Sequence, residues 1–169
     1  MKYFLDTEFA EKPNTIDLIS VGIVCEDGRE LYIENFDFDE DLANDWVREN
    51  VLPHLFRNNP EINPWIEHDI DGGTIPLSII GKRVLEFIGD DYPEFWGYYS
   101  DYYWVVFCWL FGSMIDLPKN WPMYCKDIKQ LCDDLGNPKL PEQCSQEHNA
   151  LEDARWNKEC LQFLVGLGK

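Results

Sequence analysis

Three strand-like segments at the start of the chain, residues 2–9, 16–25 and 30–36, constrain its architecture more than any other feature. They are rich in β-branched and aromatic residues, and Asp27-Gly28 supplies a tight hairpin turn between the last two. Segments joined this closely pair antiparallel, because a parallel neighbour needs a crossover of a dozen or more residues. An antiparallel meander is therefore expected. Beyond it the apolar spacing becomes helical: Leu42, Trp46, Val47 and Val51 predict a helix from Asp41 that Pro53 ends or kinks. Residues 53–73, with Pro53, Pro60, Pro64 and Gly72-Gly73, read as loop with short helical pieces and room for a movable flap. Pro76 then opens a helix through Ile79, Ile80, Val84, Leu85 and Ile88, followed by a strand over 94–99. The helix over 101–111 is apolar nearly all round, which predicts burial, and Gly112 is its C-terminal cap. An extended piece at 122–125, a helix through Ile128, Leu131 and Leu135 stopped by Gly136 and Pro138, and a helix over 150–165 complete the chain. The expected class is α/β: a mixed sheet, with three antiparallel N-terminal strands plus parallel strands, flanked by helices.

The first strand carries acids where it should enter the protein. Side chains alternate along a strand, so Asp6 and Glu8 share one face while Thr7 points to the other. Neighbouring carboxylates repel unless a cation lies between them, and a hard divalent ion with oxygen ligands is the usual solution. An isolated Asp-x-Glu in an acidic chain is ordinarily a solvated strand end. Here the frame of Lys2-Tyr3-Phe4-Leu5 before it and Phe9 after it argues for an interior strand. Near the other end, Asn149 followed by Glu152 has the spacing of a capping box, with Ala150 as the first helical residue. Asp153 then sits in a rigid first turn and His148 just outside it, an arrangement suited to a metal ligand beside a proton acceptor. A surface histidine preceding a capped helix is the plainer reading of that segment alone.

At 169 residues and 45% hydrophobic content, one domain spanning 1–169 is expected. The net charge of -18 argues against a broad phosphate-tracking surface, so any nucleic-acid contact must be local. Cysteines 25, 108, 125, 132, 144 and 160 form no C-x-x-C pair or zinc spacing and read as reduced thiols. The acid at position 6 interrupts any signal-peptide core, and the uncharged aromatic stretch 102–115 falls short of the roughly 20 residues of a membrane helix. A cytoplasmic protein without membrane contact is expected.

Asp101 follows the 94–99 strand and leads a stripe with Trp104, Val105 and Cys108. Capping its own helix is by itself a sufficient explanation for it. Together, however, Asp6-x-Glu8, Asp101 and His148-x-x-x-x-Asp153 resemble the DEDDh exonucleases in order, spacing and element type. These are ribonuclease-H-like enzymes that include proofreading 3'→5' exonucleases and oligoribonucleases. The phrases at 1–9, 17–24 and 46–53 are most similar to a small stand-alone bacterial and phage group of 3'→5' exoribonucleases, and the resemblance covers essentially the whole chain. It implies a single exonuclease domain in which Asp6, Glu8, Asp101 and Asp153 hold two Mg²⁺ or Mn²⁺ ions and His148 is the general base. It also implies single-stranded RNA 3' ends as substrate and nucleoside 5'-monophosphates as product, and it allows a homodimer. Thr7, Phe9, Leu18 and Ser20 are the candidates for substrate contact, Leu18 and Ser20 because they are expected on one strand face. Arg155 and Lys158 could steer phosphate, with a solvated helix face as their default reading. A non-catalytic nucleic-acid or protein binding module on the same fold, and a DNA-preferring exonuclease, remain open as alternatives.

Overall fold

The computed structural model describes residues 1–35, 37–55 and 77–167. Its centre is β1 (Lys2–Lys12), which pairs antiparallel with β2 (Thr15–Cys25), itself antiparallel to β3 (Glu30–Glu34). The first hairpin is longer than expected because Pro13 and Asn14 form its two-residue turn, Asn14 adopting a positive φ of 66°. On the other side of β1 lie β4 (Glu94–Gly97) and β5 (Lys126–Asp127), each parallel to its neighbour, giving the order β3-β2-β1-β4-β5. This is the mixed sheet of the ribonuclease-H-like class.

Helices cover both faces. On one, α2 (Leu77–Ile88) and α3 (Asp101–Trp109) bury Ile80, Val84, Ile88 and Phe107 against Tyr3, Leu5 and Phe95. On the other, α4 (Ile128–Asp134) and α5 (Ala150–Leu167) bury Ile128, Cys132, Ala154, Cys160 and Leu164 against Phe4 and Val24. Gly22 in β2 brings α5 unusually close, because a Cβ there would lie 2.2 Å from the Ala150 carbonyl oxygen. Buried Asn157 adds a second tie, donating its amide to the Leu5 carbonyl at 3.1 Å. The start of α5 is thus fastened to the middle of β1 and β2.

Two expectations change. The helix expected from Asp41 is a 3-10 turn at Glu40–Leu42 followed by the short α1 (Asp45–Asn50), because Asn44 accepts the Val47 N–H and starts a new helix. A further 3-10 turn, Leu52–His54, follows. Nor is α3 buried all round: Trp104, Phe107 and Cys108 face the core, while Tyr102, Val105 and Trp109 form an exposed stripe. The flap expected within 53–73 lies outside the described residues from position 56 onward. Among the described residues, no helix is long and apolar enough to cross a membrane.

Candidate active site

The acids of β1 are interior groups. Asp6 is 4% and Glu8 9% exposed, on the sheet face that α5 covers. Asn149 caps α5 as its sequence implies, accepting from the N–H groups of Leu151 and Glu152 at 3.2 and 3.3 Å. Glu152 pairs with Arg155 rather than closing a capping box. The cap places Asp153 in the first turn, where ligand atoms of Glu8, His148 and Asp153 all lie within 4.8 Å of one another. Residues 140 positions apart in sequence therefore share one centre.

His148 is held in a strained conformation, with φ of 62°. Its backbone N–H donates to Asp153 Oδ2 at 3.1 Å, and the edge-to-face Trp46 ring lies 4.8 Å from its imidazole. Asn149 donates to the His54 carbonyl at 3.2 Å, and Gln146 meets the His54 ring at 3.2 Å. The turn bearing His148 is thus docked on α1 and the 3-10 turn after it. Gln143 donates to Asp153 Oδ1 at 2.5 Å.

The electrostatics follow from crowding. Burial first, then the charges of Glu8 and Asp153, pushes the Asp6 carboxyl well above its usual range, with a Tyr103 hydrogen bond opposing the shift. Burial and neighbouring Asp153 push Glu8 up to about 8. Burial also raises Asp153, while bonds from Gln143 and the nearby His148 pull it back. Among the described residues, no lysine or arginine forms an ion pair with any of the three. The donor set is oxygen-rich, anionic and short of positive charge, which suits a hard divalent cation with an imidazole alongside.

The remaining sequence candidates scatter. Asp101 is the exposed first residue of α3, and it does not cap its helix, whose N-cap is Ser100. The residue that α3 directs at the cluster is Tyr103, whose hydroxyl lies beside Asp6 and whose ionisation is suppressed chiefly by the Asp6 charge and by burial. Ser20 pairs with Glu8 across the sheet, but a bulge between Glu8 and Phe9 pairs Phe9 with Leu18. Leu18 and Ser20 consequently face opposite sides, and Leu18 is core. Thr7 is buried on the face away from the acids. Phe9 is half-buried beside the site, stacked on exposed Tyr102 at 5.9 Å and edge-on to Tyr103 at 6.2 Å. Arg155 is engaged by Glu30 and Glu152, and Lys158 donates to the Cys25 carbonyl at 2.9 Å, so both hold α5 in place rather than standing free for phosphate. Sequence reasoning passed over Tyr103, Gln143, Trp46 and Gly22; only Gly22 carried a local signal, a glycine inside a strand pattern.

Comparison with known proteins assigns the chain to a family. The family model of the Rv2179c-like 3'-5' exoribonuclease domain matches residues 1–165. The 3'-5' exoribonuclease Rv2179c of Mycobacterium tuberculosis strain H37Rv is 39% identical over 155 residues, covering 92% of this chain and 88% of its own length. The 3'-5' exoribonuclease MT2234.1 of strain CDC 1551 matches to the same extent.

Proposed function

The chain belongs to the Rv2179c-like 3'-5' exoribonuclease family and is a phosphodiester hydrolase acting on RNA, and from that premise we propose a metal-dependent mechanism at the Asp6, Glu8, Asp153 and His148 centre. The substrate is the 3' end of single-stranded RNA, the product a nucleoside 5'-monophosphate, and the whole chain acts as one cytoplasmic exonuclease domain. The observation that carries this reading is the group of Glu8, Asp153 and the His148 imidazole, with buried Asp6 beside Glu8 on β1 and no lysine or arginine partner among the described residues.

Asp6, Glu8 and Asp153 fit Mg²⁺ or Mn²⁺, and their raised affinity for protons in the metal-free protein reflects the same demand for positive charge. When bound, two such ions would stabilise the attacking and leaving oxygens of the phosphodiester. The chain's own groups do the rest. Asp6 and Glu8, fixed by the central strand, and Asp153, fixed by a capped helix turn, hold the oxygen ligands in one orientation. His148 accepts a proton from the attacking water at an imidazole nitrogen; Asp153, by accepting from the His148 backbone N–H, fixes the turn that carries the ring, and Trp46 packs against the ring itself. The stacked Phe9 and Tyr102 rings offer an aromatic surface for the terminal base, which fits a footprint of a few nucleotides on a strongly acidic protein.

Incubation of 3'-labelled single-stranded RNA with Mg²⁺ or Mn²⁺ tests the proposal, alongside DNA of the same sequence. Release of labelled nucleoside 5'-monophosphate from RNA is the expected result. Binding without release, or faster release from DNA, would overturn it.

A further inference from the structure

The third chain segment at this centre, the start of α3, supplies no carboxylate. Helical phase explains why. Trp104, Phe107 and Cys108 are packed into the core beneath the sheet, and that packing fixes the rotation of α3. Residues two apart on a helix lie about 200° apart around its axis, so Asp101 and Tyr103 cannot both face the same point. Asp101 is turned to solvent with the Tyr102, Val105 and Trp109 stripe, and Tyr103 is turned to the acids, whose charges it feels. The Tyr103 ring meets the Phe9 ring edge to face at 6.2 Å, and its hydroxyl lies beside Asp6.

We infer that Tyr103 limits the free protein to one tightly held divalent cation. This deepens the proposed function and rests on it. Three carboxylates carry less charge than two divalent cations, and a phenol hydroxyl is neutral at ordinary pH and contributes a donor where a fourth acid would contribute charge. Tyr103 therefore occupies the place of a ligand and orients Asp6 without adding to the negative charge. A second cation is held only when the anionic phosphate of the RNA is present to supply the missing charge. Asp101 does not substitute, because it lies on the wrong side of the helix.

Manganese titration of the purified full chain without RNA, with unbound Mn²⁺ counted by electron paramagnetic resonance, tests the inference. One tight equivalent is expected for the unaltered protein, for Tyr103→Phe and for Asp101→Asn. Tyr103→Asp is expected to gain a second. Two tight equivalents in the unaltered protein would overturn the inference while leaving the exonuclease reading intact, as would a Tyr103→Asp protein that stays at one with an unchanged circular dichroism spectrum. Loss of the equivalent in Asp101→Asn would overturn it too, by placing Asp101 among the ligands. No bound equivalent in the unaltered protein would sink the metal-dependent reading itself.

Discussion

The contact between β1 and α5 and the contact between β1 and α3 build the same centre by different means. At the first, every functional group is placed by a local rule: strand alternation puts Asp6 beside Glu8, and the Asn149 cap puts Asp153 one turn into its helix. Gly22 then removes the side chain that would keep the two elements apart. At the second, no local rule decides. The aromatic packing of Trp104 and Phe107 against Phe95 and Trp121 sets the rotation of α3, and the outcome is a tyrosine facing the acids. Chemistry is rigidly specified where hydrogen bonds and backbone geometry set the position. Where only core packing sets it, the residue that arrives can change without disturbing the fold.

That contrast can be broken most severely at Asp6. Asp6→Asn should lower RNA turnover by more than about a thousandfold, since the several kcal/mol of charge stabilisation organised there is lost; a small change in mononucleotide release would refute the role of β1. His148→Ala should cost at least about a hundredfold in kcat, as expected for loss of a general base, with Mn²⁺ affinity preserved. If calorimetry shows Mn²⁺ binding lost as well, His148 is a ligand rather than a base. Gly22→Ala probes the β1–α5 fastening directly. Its Cβ forces the start of α5 outward, so a fall in stability of about 1–3 kcal/mol and a turnover loss approaching about a hundredfold are expected from urea unfolding and kinetics.

The pH dependence of the metal-free protein sharpens the same point. Glu8 goes from its usual 4.5 up to about 8, so the folded chain holds that proton more tightly than the unfolded chain does. Its stabilising contribution is complete below about pH 4.5 and disappears as pH rises to about 8. Melting temperature in chelator should therefore decline across that window, less steeply in Glu8→Gln, and Mn²⁺ should raise it most at the alkaline end. A melting temperature that ignores both pH and Mn²⁺ would contradict the charge crowding. The smallest effect belongs to α3: Asp101→Asn should leave stability within about 0.5 kcal/mol and turnover nearly unchanged, as for an exposed residue outside the site.

Sequence legibility follows the same division. The meander, the strand at 94–97 and the helices at 77–88, 128–134 and 150–167 could be read because their signals are local: alternation, helical spacing, caps and turn glycines; the extended piece expected at 122–125 falls instead at 126–127, where two residues pair with β4. The placement of Glu8, His148 and Asp153 in one group, with Asp6 beside Glu8 on β1, could be read for the same reason. What escaped was whatever tertiary contact decides. The bulge at Glu8/Phe9 separates Leu18 from Ser20, and nothing in β2 announces it. Arg155 is an apparently free cation in sequence, yet Glu30, 125 positions away, engages it. The exposure of Tyr102, Val105 and Trp109 depends on which side of α3 the sheet covers, and an all-round apolar pattern carries no such information.

Anomalous diffraction from crystals of the Mn²⁺-loaded protein tests the central claim most directly. A manganese peak bounded by the carboxylates of Asp6, Glu8 and Asp153, with the His148 imidazole beside it, is the predicted result. A map with no peak at that place, or with manganese bound only elsewhere on the acidic surface, would contradict it.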